Sequence, residues 1–339
     1  MSFRVRPAHG GDFDAIYEMA MLTGGGFTNL PADKGKLTEK LSRSQAAFAR
    51  DEEAAIGDLF VFVLENAATG EVRGTCQVFS RVGLEHPFYS YSVSKLVQTS
   101  PELAKTFRTE VLTLCNDFDG STEVGGLFLH PDAREGGLGV LLARSRYLFI
   151  RRHRARFADK VVAELRGVIE PDGNSHFWDA IAGRFFDMSF READAFNGAH
   201  GTQFISDLMP KTPIYTAMLS DEARRVLRQP HPDGRGAMRM LEREGFAGDN
   251  YVDIFDGGPT MSAPTDQIRT IREARELVLA GLDDSPGGER LMLAAGHLPT
   301  FAAGYGRVAL SPEGGATVDA ESAAALGLEP GDTFLAVGR

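Results

Sequence analysis

The run Val124-Gly125-Gly126-Leu127-Phe128-Leu129-His130-Pro131-Asp132-Ala133-Arg134-Glu135-Gly136-Gly137-Leu138-Gly139 decides the fold of this chain. Its first six residues read as an apolar strand, and a long helix follows from about 140 to 156. Between them lies Arg134-x-x-Gly137-x-Gly139. Glycine lets the backbone approach a ligand closely, and the start of a helix offers unpaired N–H groups and the positive end of its dipole. A turn of this kind can cradle a pyrophosphate. A plain strand-to-helix turn would carry the same glycines, so the pattern takes its meaning from its context. Other phosphate-binding patterns fit poorly: no GxGxxG opens a first strand–helix–strand unit, and no Gly-Lys-Ser/Thr closes a Walker loop.

Working outward, residues 3–5 read as a first strand and 12–21 as an amphipathic helix stopped by Thr23-Gly24-Gly25-Gly26. A more polar helix is expected over 33–50. The runs 59–64 and 72–79 flank a turn at 66–70 and form a hairpin. Residues 87–97 add strand-like structure, and 101–114 read as helical. Downstream come a strand at 161–169, a helix at 177–186, helices at 220–228 and 237–244 around Pro230-His231-Pro232, and a strand at 251–255. Beyond Ser262 short apolar pieces alternate with Gly and Pro turns. The expected division is therefore a body over 1–261 and a small β-rich C-terminal domain over 262–339.

Composition bounds the function. The 339 residues are 43% apolar and 24% charged, as in ordinary globular proteins. With 36 basic against 47 acidic residues the net charge is −11, which argues against a nucleic-acid or membrane-surface binder. Cys76 and Cys115 form neither a disulfide framework nor a metal-binding pair. His153, His176 and His200 lack paired ligand spacing, so no metal is expected. The first residues have no apolar signal core and no run suggests a membrane span, so a reduced, cytoplasmic protein is the expectation. Against the acidic whole, Arg134–Arg156 holds seven arginines and one acid, Glu135. Arg144, Arg146, Arg151, Arg152, Arg154 and Arg156 follow the loop; a few would suit the phosphates of a compact polyanion, and most read as a solvated helix face.

The glycine loop and the order of elements around it resemble the GNAT acyltransferase superfamily, which implies an α/β fold with a mixed, largely antiparallel sheet flanked by helices. More closely, the chain resembles the arginine N-succinyltransferase family over about 3–260. The likeness rests on Thr23-Gly24-Gly25-Gly26 with Leu30-Pro31, Leu127-Phe128-Leu129, Pro131-Asp132, Lys160-Val161-Val162-Ala163-Glu164 and Arg166-Gly167-Val168-Ile169. It continues through Phe177-Trp178, Arg184-Phe185-Phe186, Leu208-Met209-Pro210-Lys211, Pro213-Ile214-Tyr215-Thr216, His231-Pro232, Glu244-Gly245-Phe246, Asn250-Tyr251 and Asp253 to Thr260. It implies transfer of succinyl from succinyl-CoA to the α-amine of L-arginine in arginine catabolism. It further implies that Arg134, Gly137 and Gly139 hold CoA, that Leu127 contacts succinyl-CoA, and that His231 is the proton donor. Succinyl-CoA is a cosubstrate, and no tightly bound cofactor is implied. The chain departs from the family pattern at Gly125-Gly126, where bulkier residues are more usual.

Amide formation from a thioester needs a neutral amine, a polarised carbonyl and a proton for the thiolate. In this superfamily the strand before the loop splays, and a main-chain N–H near its end polarises the carbonyl; Leu127 would supply it, with its side chain in the core. An imidazole titrates near neutrality, which suits His231 to proton transfer. Covalent catalysis by Cys76 or Cys115 is the competing mechanism; neither has an adjacent histidine, so direct attack in a ternary complex is expected. Glu164 and Arg166 share one face of the strand over 161–169, and either meet the charged groups of the substrates or form a structural ion pair. The alternatives are the same chemistry on ornithine or a related amino acid, and a non-catalytic acyl-CoA-binding subunit. A homo-oligomer, or pairing with a paralogous subunit, is expected.

Overall fold

The computed structural model describes residues 3–23, 29–201, 203–284, 287–311 and 315–339, with backbone only at 198–200 and 249. The elements begin with β1 (Phe3–Pro7), α1 (Phe13–Leu22), α2 (Lys34–Ala49), β2 (Leu59–Asn66) and β3 (Val72–Phe79). Next come β4 (Ser90–Ser100), β5 (Lys105–Cys115), β6 (Thr122–Leu129), α3 (Leu138–Arg152) and β7 (Lys160–Glu164). A helical stretch holds α4 (His176–Ala180), α5 (Gly183–Phe186), α6 (Phe190–His200) and α7 (Gln203–Leu208), then β8 (Ile214–Tyr215), α8 (Asp221–Val226) and α9 (Arg235–Glu244). The chain continues with β9 (Ala247–Asp253), β10 (Pro259–Pro264), α10 (Arg269–Glu273), β11 (Arg275–Leu282), β12 (Glu289–Ala295), β13 (Ala302–Leu310), β14 (Ala316–Val318), α11 (Ala320–Leu326) and β15 (Thr333–Val337). Contacts divide it into two compact units: Met1–Ser80 with Thr122–Asp159 and Pro264–Arg339, and Arg81–Ser121 with Lys160–Ala263.

In the first unit the strand order β13-β1-β2-β3-β6 is antiparallel throughout. Asp33 caps α2 by accepting from the Lys36 N–H at 2.8 Å, and Leu37, Leu41, Ser44 and Phe48 turn one helical stripe inward. Helix α3 is buried on every side from Leu141 to Ile150. Its Phe149 packs edge-on against Phe60 at 4.9 Å, Phe62 at 5.0 Å and Phe301 at 5.1 Å. That cluster ties the N-terminal hairpin, the helix after the glycine loop and the C-terminal segment into one core. Beyond β13, strands β12, β15, β11, β14 and β13 pair in turn, and β12 also pairs with β13. The result is a small closed barrel filled by Leu279, Leu293, Val318, Leu326 and Phe334. The expected β-rich C-terminal region is thus present, and so is the α/β acyltransferase-type order of strand, two helices, hairpin, strand, glycine loop and helix.

In the second unit the order is β7-β10-β9-β4-β5-β8. Here one expectation fails: 101–114 is not helix but a turn at 101–104 that leads into a strand. Residues 105–115 carry Thr106, Phe107, Thr109, Val111 and Thr113, types that prefer a pleated surface, and they pair with β4 along the whole hairpin from Ser90↔Cys115 to Ser100↔Lys105. The expected helix at 177–186 is two short turns broken at Ile181, whose φ of −120° and ψ of −88° lie outside the helical range. Fully buried Trp178 anchors this region through its indole N–H to the Met188 carbonyl at 2.8 Å, stacked on Phe255. Helices α6 and α7 carry no counterpart in the sequence reading; Ser189 and Glu192 form a capping box that starts α6.

Candidate active site

In the first unit, strand β6 leads into the glycine loop. Its pairing with β3 slips by one residue: Thr75 faces Phe128, but Gln77 faces Gly125. This bulge places Gly126 at φ +58° and leaves Leu127 half-buried, not in the core as its sequence suggested. A polar network supports the bulge. The Gln77 amide donates to Asn29 Oδ1 at 2.7 Å, Asn29 Nδ2 donates to Glu123 at 3.1 Å, and the Lys40 ammonium donates to the Asn29 carbonyl. Arg146 donates to the Gly125 carbonyl at 3.3 Å. A Cβ on Gly125 would lie 2.7 Å from Asn29 Nδ2, so the departure from bulkier residues at this position is forced by the network. Burial pushes the Lys40 ammonium down to about 7 and the Glu123 carboxyl up. Nothing in the sequence marked Lys40, which belongs to a helix with a polar face.

Past β6, Gly136 and Gly137 adopt φ of +63° and +81°, and Gly137 is the residue before the first turn of α3. The amides of Gly139 and Val140 lie in that first turn and have no intrahelical acceptor. Exposed Arg134 donates through Nε to the Leu129 carbonyl at 3.2 Å. Most of the arginines that follow serve the fold. Arg144 holds Thr270 Oγ1 and the Gly338 carbonyl, at 2.7 and 2.8 Å. Arg154 bridges Asp159 and Asp266, and fully buried Arg156 holds the Arg50 carbonyl at 2.5 Å. A helix buried on all sides turns even its cations inward. Cys76 is buried, its thiol pushed up to about 12 by burial, and Cys115 is raised in the same way. Neither thiol is primed as a thiolate.

In the second unit, strand β7 ends at Glu164, five residues short of the expected limit. Burial nevertheless continues to alternate, with Leu165 and Gly167 buried and Glu164 and Arg166 half-buried. The strand stops because the chain changes partners: the Leu165 N–H donates to the Pro259 carbonyl, Gly167 forms an isolated bridge with Pro230, and the His231 N–H donates to the Arg166 carbonyl at 2.7 Å. The turn ahead of β10 clamps this arrangement. Asp256 accepts from the Gly167 and Gly258 amides, each at 2.8 Å, while Asp253 accepts from those of Phe255 and Asp256 at 2.7 and 2.9 Å. Buried Asp256 and half-buried Asp253 are both raised by burial, Asp256 well above the ordinary range, with Asp253's charge adding to it. A Cβ on Gly167 would sit 2.6 Å from the Asp256 carbonyl oxygen, so only glycine fits.

The clamp brings His231 and Arg166 together. The His231 side chain is 21% exposed, and its Nδ1 accepts from the Asp233 N–H at 3.3 Å. With Nδ1 as acceptor the neutral ring carries its proton on Nε2. Burial first, and then the Arg166 charge, lowers the imidazole below its ordinary value. Arg166 Nε is buried with no hydrogen-bond partner among the described residues. Glu164 accepts from Thr260 Oγ1 at 3.4 Å. Residues 24–26 lie outside the described residues. Among the described residues, no group of His, Cys, Asp and Glu is arranged to hold a metal ion, and no helix is long and apolar enough to cross a membrane.

A bulged strand feeding a glycine loop and a helix start, on an antiparallel sheet flanked by helices, defines an acyltransferase of the GNAT-like class. Comparison with known proteins narrows this. A family model described as arginine N-succinyltransferase beta subunit matches residues 3–270, and one for the C-terminal domain of that subunit matches 275–338. An arginine N-succinyltransferase of Citrobacter koseri is 44% identical over 283 residues, 84% of this chain and 82% of that protein. One from Escherichia coli is 44% identical over 280 residues, 81% of this chain and 80% of that protein. A solved structure described as arginine/ornithine succinyltransferase subunit AI, from Pseudomonas aeruginosa, superposes with a TM-score of 0.89 at 32% identity, covering 99% of this chain and 98% of that one. The chain belongs to the arginine N-succinyltransferase family.

Proposed function

We propose that this chain is an arginine N-succinyltransferase, which transfers succinyl from succinyl-CoA to the α-amine of L-arginine and releases N2-succinyl-L-arginine and CoA, in arginine catabolism. The observation that carries the reading is family membership over nearly the whole chain, together with a half-buried histidine beside an arginine. Arg134, Gly137, Gly139 and the first-turn amides of α3 are assigned to the CoA phosphates. The Leu127 amide is assigned to the thioester carbonyl. The α-amine nitrogen attacks that carbonyl carbon, and the neutral imidazole of His231 takes up the proton this nitrogen sheds as it becomes an amide. The C–S bond breaks, and the imidazolium so formed gives its Nε2 proton to the departing thiolate, so the ring returns to neutral and the sequence balances within the enzyme. The raised thiols of Cys76 and Cys115 favour this direct attack over an acyl-cysteine. Arg166, with its unpartnered Nε, suits a substrate carboxylate, and Glu164 suits the guanidinium.

A second reading, the same chemistry on ornithine, is favoured by the description of the P. aeruginosa protein. We assign the enzyme to the cytoplasm, in keeping with its two free thiols, and to a homo-oligomer or a pair with a paralogous subunit. The deciding assay incubates purified protein with succinyl-CoA and a panel of amino acids and follows CoA release. Release with arginine above ornithine supports the first reading, and the reverse supports the second. No release with either overturns both, and faster release from acetyl-CoA replaces the donor.

A further inference from the structure

The C-terminal barrel has a place at the glycine loop, by contacts wholly within the first unit. Tyr305, on β13 and 8% exposed, donates from its hydroxyl to the Gly137 carbonyl at 3.1 Å. Arg339 donates from Nη2 to the Gly136 carbonyl at 3.0 Å, and its guanidinium carbon stands 4.9 Å from the centroid of the Tyr305 ring. Arg290, on β12, approaches the same ring at 5.2 Å. A Cβ on Gly137 would meet Arg339 Nη2 at 2.5 Å, so glycine there serves the close approach of this guanidinium as well as the left-handed turn.

Three features give the arrangement a ligand-binding sense. The arginines of α3 that stood nearest in sequence are mostly buried or paired with acids and carbonyls, so they leave the loop short of cations. Arg339 and Arg290 are exposed, and a guanidinium has five N–H donors, of which the Gly136 bond engages one on Arg339. Two like charges held on one aromatic ring repel, and an anion bound between them and the helix start relieves that repulsion. We propose that the C-terminal barrel completes the phosphate-binding site of the glycine loop, with Arg339, seated on Tyr305, as a phosphate-contacting cation and Arg290 reinforcing it. This rests on the reading that the loop holds CoA, and it gives the last eighty or so residues of the chain a direct part in cosubstrate binding.

The test is calorimetric titration of succinyl-CoA into the whole protein and its Arg339→Gln and Arg339→Lys variants, at 50 and 200 mM salt, with melting temperatures recorded alongside. The proposal expects Arg339→Gln to weaken binding by about tenfold and to flatten the salt dependence, with Arg339→Lys recovering part of both, because a phosphate contact is charge-assisted and releases counterions. Unchanged affinity in Arg339→Gln overturns it. So does an equal loss in both variants with an unchanged salt slope, since that reports a merely structural bond. A parent protein that does not bind succinyl-CoA at all brings down the reading of the loop itself, a result distinct from either.

Discussion

At His231 one ring nitrogen accepts a hydrogen bond from the chain and the setting disfavours the cation, so the resting ring is neutral, a base that takes up a proton before it can deliver one. His231→Ala should therefore fold normally and bind succinyl-CoA within about threefold of the parent, yet lose about 10²–10⁴ in turnover, the usual size of a proton-transfer contribution. Near-normal turnover would remove His231 from the chemistry. The ring's titration is checked directly by NMR. Its midpoint lies below the ordinary value in the parent and rises in Arg166→Gln, because that variant removes a neighbouring positive charge while Asp233 remains. A midpoint that stays fixed would disconnect the two side chains. His231 was legible only through its resemblance to a family motif. Asp256, which clamps the segment beside it, lies within the same resemblance, yet its role is invisible in the sequence because its partner Gly167 lies 89 positions away.

Among the elements, the bulge in β6 carries the most specific consequence. Gly125→Ala would drive a methyl group against Asn29 and break its link to Glu123 and Gln77. Overpacking of this kind costs about 1–3 kcal/mol, and it should shift the main chain at Leu127, with a fall in kcat larger than any rise in the arginine KM. Adding Asn29→Ala should recover part of the loss; a strictly additive double variant would show that the two sites do not communicate. The strand, loop and helix start around this bulge were readable from residue order alone. The hairpin of β4 and β5 was not: its second strand mixes Glu110 and Arg108 with apolar residues at spacings that also suit a helix, and only the facing strand selects the extended form. Helix α3 misled in another way. Counting arginines marks a solvated face, whereas Arg144 and Arg146 find carbonyl and hydroxyl partners inside the core.

Across the whole molecule, stability leans on the aromatic cluster around Phe149. Phe149→Ala should lower the unfolding free energy by about 3–5 kcal/mol, read from the shift of a urea midpoint at constant slope. A loss under about 1 kcal/mol would mean that the cluster repacks freely. Acid sensitivity has an identifiable source in His153, which is 3% exposed and accepts the Leu298 N–H on Nε2. Burial first, then the charges of His297, Arg156 and Arg152, holds its imidazole down at about 3 against an ordinary 6.5. The unfolded chain therefore takes up this proton first as pH falls, so stability is full above 6.5 and drains between 6.5 and 3. His153 alone should cost about 2 kcal/mol on going from pH 7 to pH 5, so His153→Gln should decline markedly less over that interval, the remainder coming from His297 and His231, whose imidazoles are also held down. An equally steep decline in the variant would place the acid sensitivity elsewhere.

The pairing of β1 with β13, Arg4 opposite Gly304, has a consequence in time. On a ribosome adding about 5–20 residues per second, the first strand waits about 15–60 s before its partner is made. Throughout that interval one edge of the nascent sheet is open, and a β-strand edge without a partner is a template for misassociation. Chains that terminate early emerge with that edge permanently bare, so truncated products should be drawn to chaperones and cleared while the finished chain is spared.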